Sequence, residues 1–192
     1  MKRILLILLL LLMACEPSPK SVSDAIVRGR VDEAVQRLAE LLNSKEEITA
    51  SHLDQLLESI KANRHFNIDA ADDLMDRLKP EGRRAVFPWY MKTYLELVEV
   101  AIRMEKFDAA RSIWKRNQKV RALLFPSFQE ATPVLGIIDL REAEYWLNKK
   151  NKAKARQLLA AARKKLTRSR PFDRVQQYNF KRSAEDLTRK LK

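Results

Sequence analysis

Three glycines in 192 residues fall far below the usual share of about 7%. Strand hairpins and tight turns depend on Gly and Pro for their reversals, so a chain this poor in Gly does not read as an all-β protein. Ala, Leu, Lys, Arg and Glu dominate instead, and these are the strong helix formers. The expected class is all-α.

Apolar periodicity divides the chain into about eight or nine helices. A short one over residues 22–28 ends at Gly29. Val31, Ala34, Val35, Leu38, Leu41 and Leu42 form one face of a helix over 31–42. Ser44-x-x-Glu47 and Ser51-x-x-Asp54 resemble capping boxes, so the next helix opens between them and buries Leu53, Leu56, Leu57 and Ile60. Residues 63–67 turn, and a helix over 69–78 runs until Pro80 and Gly82 stop it. Phe87-Pro88 opens a longer helix, with Pro88 near its first turn and Tyr90, Tyr94, Leu97, Val98, Ala101 and Ile102 on its inner side. Glu105-Lys106 turns into a helix over 107–124 with Phe107, Ala110, Ile113 and Trp114 inside. Pro126, Pro133 and Gly136 mark 125–136 as the longest loop. Helices over 137–149 and 152–166 follow, and Ser169-Arg170-Pro171 separates them from a last, more polar helix over 172–191.

The first fifteen residues follow a different rule. Lys2 and Arg3 precede nine unbroken apolar residues, 4–12, and Leu12-Met13-Ala14-Cys15 then gives way to the polar Glu16-Pro17-Ser18-Pro19. A charged start, a short apolar middle and a small residue before a cut describe a secretory signal; a spanning helix needs about 20 apolar residues. Cys15 is the only cysteine, so it has no disulfide partner in the chain. The Leu-x-Ala-Cys ending resembles the lipobox of bacterial lipoproteins. That resemblance implies cleavage between Ala14 and Cys15, acylation of Cys15, and a membrane anchored to the chain through that lipid. It also implies delivery to the periplasmic face of the outer membrane, because Glu16 stands where an Asp favours inner-membrane retention. Residues 16–21, with two Pro and two Ser, read as a short extended tether.

The net charge of +13 is unevenly placed. Residues 149–192 hold 16 Lys and Arg against Asp173, Glu185 and Asp186, whereas 16–148 balance at −2. Lys149, Lys150, Lys152 and Lys154 cluster at one hairpin tip, and Arg163, Lys164, Lys165, Arg168 and Arg170 cluster at the other end of that helix. Such asymmetry speaks of partners rather than fold. With few acids nearby in sequence, the repulsion asks for an anionic partner: glycan, or a lipid surface that gains from each Lys or Arg. Nucleic acid suits the charge but is not expected for an exported chain.

Three hairpins open their second helix alike. Gly29-Arg30-Val31-Asp32-Glu33-Ala34, Glu105-Lys106-Phe107-Asp108-Ala109-Ala110 and Lys150-Asn151-Lys152-Ala153-Lys154-Ala155 each bring a small residue one turn in, and Leu38, Trp114 and Leu159 follow four residues later. This resembles the tetratricopeptide repeat, with Val98, Ala143 and Ala162 at further small-residue positions of that family and a degenerate fourth copy around Ala71. The successive spacings from Ala34 to Ala71, from Ala71 to Ala110 and from Ala110 to Ala155, of 37, 39 and 45 residues, exceed the family's 34, and its first-helix Gly is missing. The resemblance implies antiparallel hairpins stacked as an α-solenoid over 22–166, capped by a basic helix in 167–192. The same packing rules also build an irregular helical bundle.

Candidates for chemistry are few. His52 and His65 lie 13 residues apart and near no cysteine, so no zinc spacing exists. Asp69, Asp72, Asp73 and Asp76 share one helix face and read as a solvated acidic stripe, since one rigid helix does not wrap an ion. Trp89, Trp114, Trp146, Tyr90, Tyr94 and Tyr145 sit at helical spacing and read first as core. No Gly-rich phosphate loop, no Gly-x-Ser-x-Gly and no selected carboxylate pair points to catalysis. The expectation is a non-enzymatic envelope lipoprotein without a cofactor: an adaptor holding a protein of a secretion, pilus or outer-membrane assembly machine, or alternatively a binder of peptidoglycan, lipopolysaccharide or anionic lipid through the basic quarter.

Overall fold

The computed structural model describes residues 17–44, 47–118, 120, 132–168 and 174–192, with backbone alone for 132, 133, 167, 168 and 174–178. Cys15, Ala14 and Arg170 lie outside the described residues. Every element among them is a helix: α1 (Pro19–Val27), α2 (Val31–Asn43), α3 (Ala50–Ala62), α4 (Ile68–Arg77), α5 (Pro80–Arg103), α6 (Phe107–Arg116), α7 (Thr132–Asn148), α8 (Lys152–Arg168) and α9 (Arg174–Leu191). Two compact units divide the chain, Met1–Tyr90 and Met91–Lys192, and the division falls within α5.

In the first unit, α1 packs on α2 and on α3, and α2 packs on α4. The buried faces are those the periodicity selects: Val22 and Ala25 of α1, Ala34, Val35, Leu38 and Leu41 of α2, Leu57 and Ile60 of α3, and Ala71, Leu74 and Met75 of α4. Each such Leu, Ile or Met removed from water contributes about 1.5–3 kcal/mol, which fixes the helix faces. Asn43 ties the ends of α2 and α4: its amide donates to the Arg77 carbonyl (2.8 Å) and accepts from the Lys79 N–H (2.8 Å).

Three helix starts, those of α1, α5 and α7, differ from the sequence expectation by several residues. α1 starts at Pro19, inside the stretch expected to be a tether, because Ser18 and Ser21 form a reciprocal cap (3.2 and 3.1 Å) and Pro19 takes the first turn, where its missing N–H is harmless. α3 opens between Ser44 and Ser51 as expected, with Thr49 as its cap, the hydroxyl accepting from the His52 N–H at 3.3 Å. α5 starts at Pro80 rather than at Phe87-Pro88, so Pro80 begins the helix that it was expected to keep apart, and Pro88 lies inside it. Within a helix Pro88 supplies no N–H for the carbonyl four residues back.

In the second unit, α7 packs on α6, α8 and α9, and α8 packs on α9. One cluster joins Val98, Ala101, Phe107, Ala110, Trp114, Val134 and Ile138; another joins Leu140, Ala143, Ala155, Leu159, Ala162, Ala184, Leu187 and Leu191. α7 begins at Thr132, so Pro133 and Gly136 belong to its first turns and not to a loop. Gly136 is there for space. A β-carbon on it would lie 2.9 Å from Leu166 Cγ and 3.3 Å from the Ala162 carbonyl oxygen, so α7 and α8 approach more closely than a side chain permits.

The three look-alike sequence stretches make the same turn. Gly29, Glu105 and Lys150 each have a left-handed backbone, with φ of 72°, 60° and 61°. The next N–H reaches back to the helix in every case: Arg30 to Ala25 (3.0 Å), Lys106 to Ala101 (2.9 Å) and Asn151 to Trp146 (2.8 Å). Gly29, Glu105 and Lys150 themselves donate to Ile26, Ile102 and Leu147, all at 2.9 Å. These paired bonds are a Schellman motif, which satisfies the last carbonyls of a helix. Ala34, Ala110 and Ala155 follow, all fully buried. The turn before α4 is built otherwise, with Asn67 capping through Ala70 at 3.0 Å.

Only the first of these turns has the glycine that its backbone favours. Gly29→Ala is expected to lose about 1 kcal/mol or more, and Glu105→Gly to gain about 0.5 kcal/mol after the entropy of the new glycine is set against the left-handed strain. Thermal unfolding followed by circular dichroism checks both signs; a loss at Glu105→Gly contradicts the strain argument.

Candidate functional site

α7 is apolar on nearly all sides: Ile137, Ile138, Leu140, Ala143, Tyr145, Trp146 and Leu147 surround its axis. A helix of that kind packs against several neighbours, and its polar residues are buried with it. Asp139 and Glu142 are accordingly 2% and 8% exposed. They lie one turn apart, on the same side. α6 brings Arg111 to both. Its Nη2 is 2.8 Å from Asp139 Oδ1 and 2.5 Å from Glu142 Oε2, and its Nη1 is 3.1 Å from Asp108 at the surface. α8 supplies two more cations eleven residues apart, or about three turns. Lys165 pairs with Asp139 Oδ2, and Lys154 stands 4.0 Å from Glu142 Oε1. Trp146 Nε1 also donates to Glu142 Oε1, at 3.1 Å.

Three helices are thus joined through two buried carboxylates and the partly exposed cations that meet them. Burial disfavours the charge on Arg111, but its hydrogen bonds to Asp139 and Glu142, with their negative charges, outweigh that and raise its pKa above the ordinary arginine value. Both carboxylates are occupied by donors, so the arrangement orients helices and offers no vacant base or acid. None of Arg111, Asp139 and Glu142 is singled out by sequence spacing. The signal that finds them is the apolar girdle of α7, which leaves an Asp and a Glu no route to solvent.

The basic residues expected to meet an anionic partner fall into two groups. At the α7–α8 turn Lys149, Lys150, Lys152 and Lys154 are exposed. Lys149 Nζ lies 5.5 Å from the Tyr145 ring centre, and Lys154 Nζ lies 4.4 Å from that of Trp146. At the far end of α8, Lys165 turns inward to Asp139, and Arg163 donates to Thr188 Oγ1 of α9 at 2.6 Å. Lys164 is exposed, and the side chain of Arg168 lies outside the described residues. The repulsion inferred from composition is therefore partly relieved inside the fold, by acids from residues 139 and 142 that precede the basic quarter.

The other candidates have structural surroundings. Asp72 accepts from the Tyr90 hydroxyl at 2.8 Å, and Asp73 pairs with Arg77 at 2.7 Å, so the acidic stripe of α4 is partly committed. His52 and His65 are exposed, and His65 accepts from Arg64 Nε at 2.9 Å. Among the described residues no group of His, Cys, Asp and Glu is placed to hold a metal ion, and no helix is long and apolar enough to cross a membrane. Trp89, Trp114, Tyr90 and Tyr94 are buried, whereas Tyr145 and Trp146 are half-buried in edge-to-face contact, with ring centres 5.1 Å apart. No protein-family model, curated protein or solved structure matches the chain.

Removing one member of a buried ionic set leaves its partners unpaired. Arg111→Met is expected to cost about 3 kcal/mol, whereas Arg111→Met combined with Asp139→Leu and Glu142→Leu recovers most of that loss, because Lys154 and Lys165 are free to turn to water. Urea unfolding of the single and triple variants tests this. A triple variant weaker than the single one contradicts it.

Proposed function

We propose that the protein is a lipid-anchored adaptor of the bacterial envelope. In this reading a tetratricopeptide-like array of helical hairpins holds a protein partner and performs no chemistry on it. The observation that carries the reading is the threefold recurrence of one turn: a left-handed residue, two returning hydrogen bonds, and a buried alanine one turn into the next helix. Neighbour relations in the first unit agree with such an array, since α1 meets α3 and α2 meets α4, as first and second helices do when hairpins are stacked in series. The lipobox-like end at Cys15 motivates the anchor, and with Glu16 after it the outer membrane is the proposed destination. The missing metal-ligand and nucleophile spacings in the sequence favour holding over transformation.

The second reading, a binder of anionic glycan or lipid, is favoured by one observation: the exposed lysines of the α7–α8 turn.

Two measurements test the adaptor. Cells fed labelled palmitate are expected to label the intact chain and to leave Cys15→Ser unlabelled; label on the Cys15→Ser chain, or none on either, removes the anchor. Pull-down from detergent-solubilised envelopes is expected to recover one specific protein in stoichiometric amount. Recovery of none contradicts the adaptor.

A further inference from the structure

The basic quarter is not one surface. At the far end of α8 two of the cations have partners within the fold, Lys165 with Asp139 and Arg163 with Thr188. The α7–α8 turn is different. Lys150 and Lys152 are exposed and, among the described residues, have no acidic partner. Lys149 has only the Tyr145 ring, and a ring contact holds an ammonium in place without cancelling its charge. The acids closest in sequence are already used: Glu142 by Arg111 and Trp146, and Glu144 by Arg141 at 2.8 Å.

We infer that the α7–α8 turn is a docking surface for an anionic lipid bilayer, with Lys149, Lys150 and Lys152 as the contacting charges. This rests on the second reading above and gives that reading its site. Three features favour a bilayer over a shaped anionic ligand. The lysines stand at the tip where two helices reverse, so they project from an end rather than line a cleft. They are flexible ammoniums, and lack the planar fork by which arginine grips one oriented phosphate or carboxylate. The left-handed backbone at Lys150, φ 61°, makes the reversal within three residues and crowds the charges at one end. A diffuse layer of headgroups matches such a cluster. Each lysine beside an anionic surface gives about a fivefold gain in affinity, so the three together give about a hundredfold.

The test is sedimentation of the full chain with vesicles of phosphatidylcholine, with and without phosphatidylglycerol, at low and high salt. Any acyl group or apolar leader contributes to both vesicles, so the readout is the ratio of binding between them. Three chains are compared: the natural one, Lys149→Gln with Lys150→Gln and Lys152→Gln, and a charge-matched control, Lys181→Gln with Arg182→Gln and Lys190→Gln on α9, all exposed. The natural chain and the control are expected to prefer the anionic vesicles strongly and to lose the preference in high salt. The turn variant is expected to lose it about a hundredfold, with unchanged helix content and melting temperature. Equal loss in the control makes the effect one of overall charge and overturns the site. An unchanged turn variant overturns the site while the lipid reading stands. No preference in the natural chain overturns both. Equal retention by purified peptidoglycan, lost in the same turn variant, moves the site to a glycan and overturns the bilayer.

Discussion

A helical hairpin exists only if its first helix can end, reverse and be covered within a few residues. The constraint is the last carbonyls of the first helix, which lose their intrahelical donors and must find others. In this chain the solution is a left-handed residue whose own N–H and whose neighbour's N–H both return to the helix just left. Once the chain is turned this way, Ala34, Ala110 and Ala155 are brought against the first helix of their own hairpin, where each is buried. A larger side chain there would hold the helices apart. The turn, the alanine and the large residue that follows, Leu38, Trp114 or Leu159, form one packing unit used three times.

The second unit adds a different kind of bond. Hydrophobic faces tell helices which sides to bury but specify rotation and axial position only loosely. Arg111, held by Asp139 and Glu142 of α7, fixes α6 against α7 at the scale of a hydrogen bond, and Lys165 does the same for α8. Withdrawing these charges from water is costly, so the set is weak as a source of stability. Its value lies in allowing one alignment of three helices, since any slip leaves a carboxylate in an apolar setting without its donor. Gly136 acts in the same direction by letting α7 and α8 close until Leu166 and the Ala162 carbonyl touch the bare backbone.

Much of the helix content was legible because amphipathic periodicity is a local signal. Leu53, Leu56, Leu57 and Ile60 are all buried, as are Ala70, Ala71, Leu74, Met75 and Leu78. The misplaced boundaries share a cause. Pro80, Pro133 and Gly136 read as breakers and Pro88 as a helix start, yet Pro80 and Pro133 stand in first turns, where a missing N–H is tolerated, Gly136 serves the close approach of α8, and Pro88 lies inside a helix of 24 residues. Proline states what it lacks, and only the neighbours decide whether that matters. The ionic set was hidden for another reason. Its members come from residues 111, 139, 142 and 165, and no spacing within one helix reveals a meeting of three. The basic quarter was visible as composition, but which of its cations meet an acid depends on where α7 brings Asp139 and Glu142 against α8.

Lys150 sits where two demands meet. Its left-handed backbone would be relaxed by glycine, so selection for a more heat-resistant protein would push this position toward the smallest residue. The same replacement would erase a charge from the tip of the hairpin. Lys150 thus joins a backbone cost and a surface charge in one residue, as Glu105 does at the corresponding turn before α6.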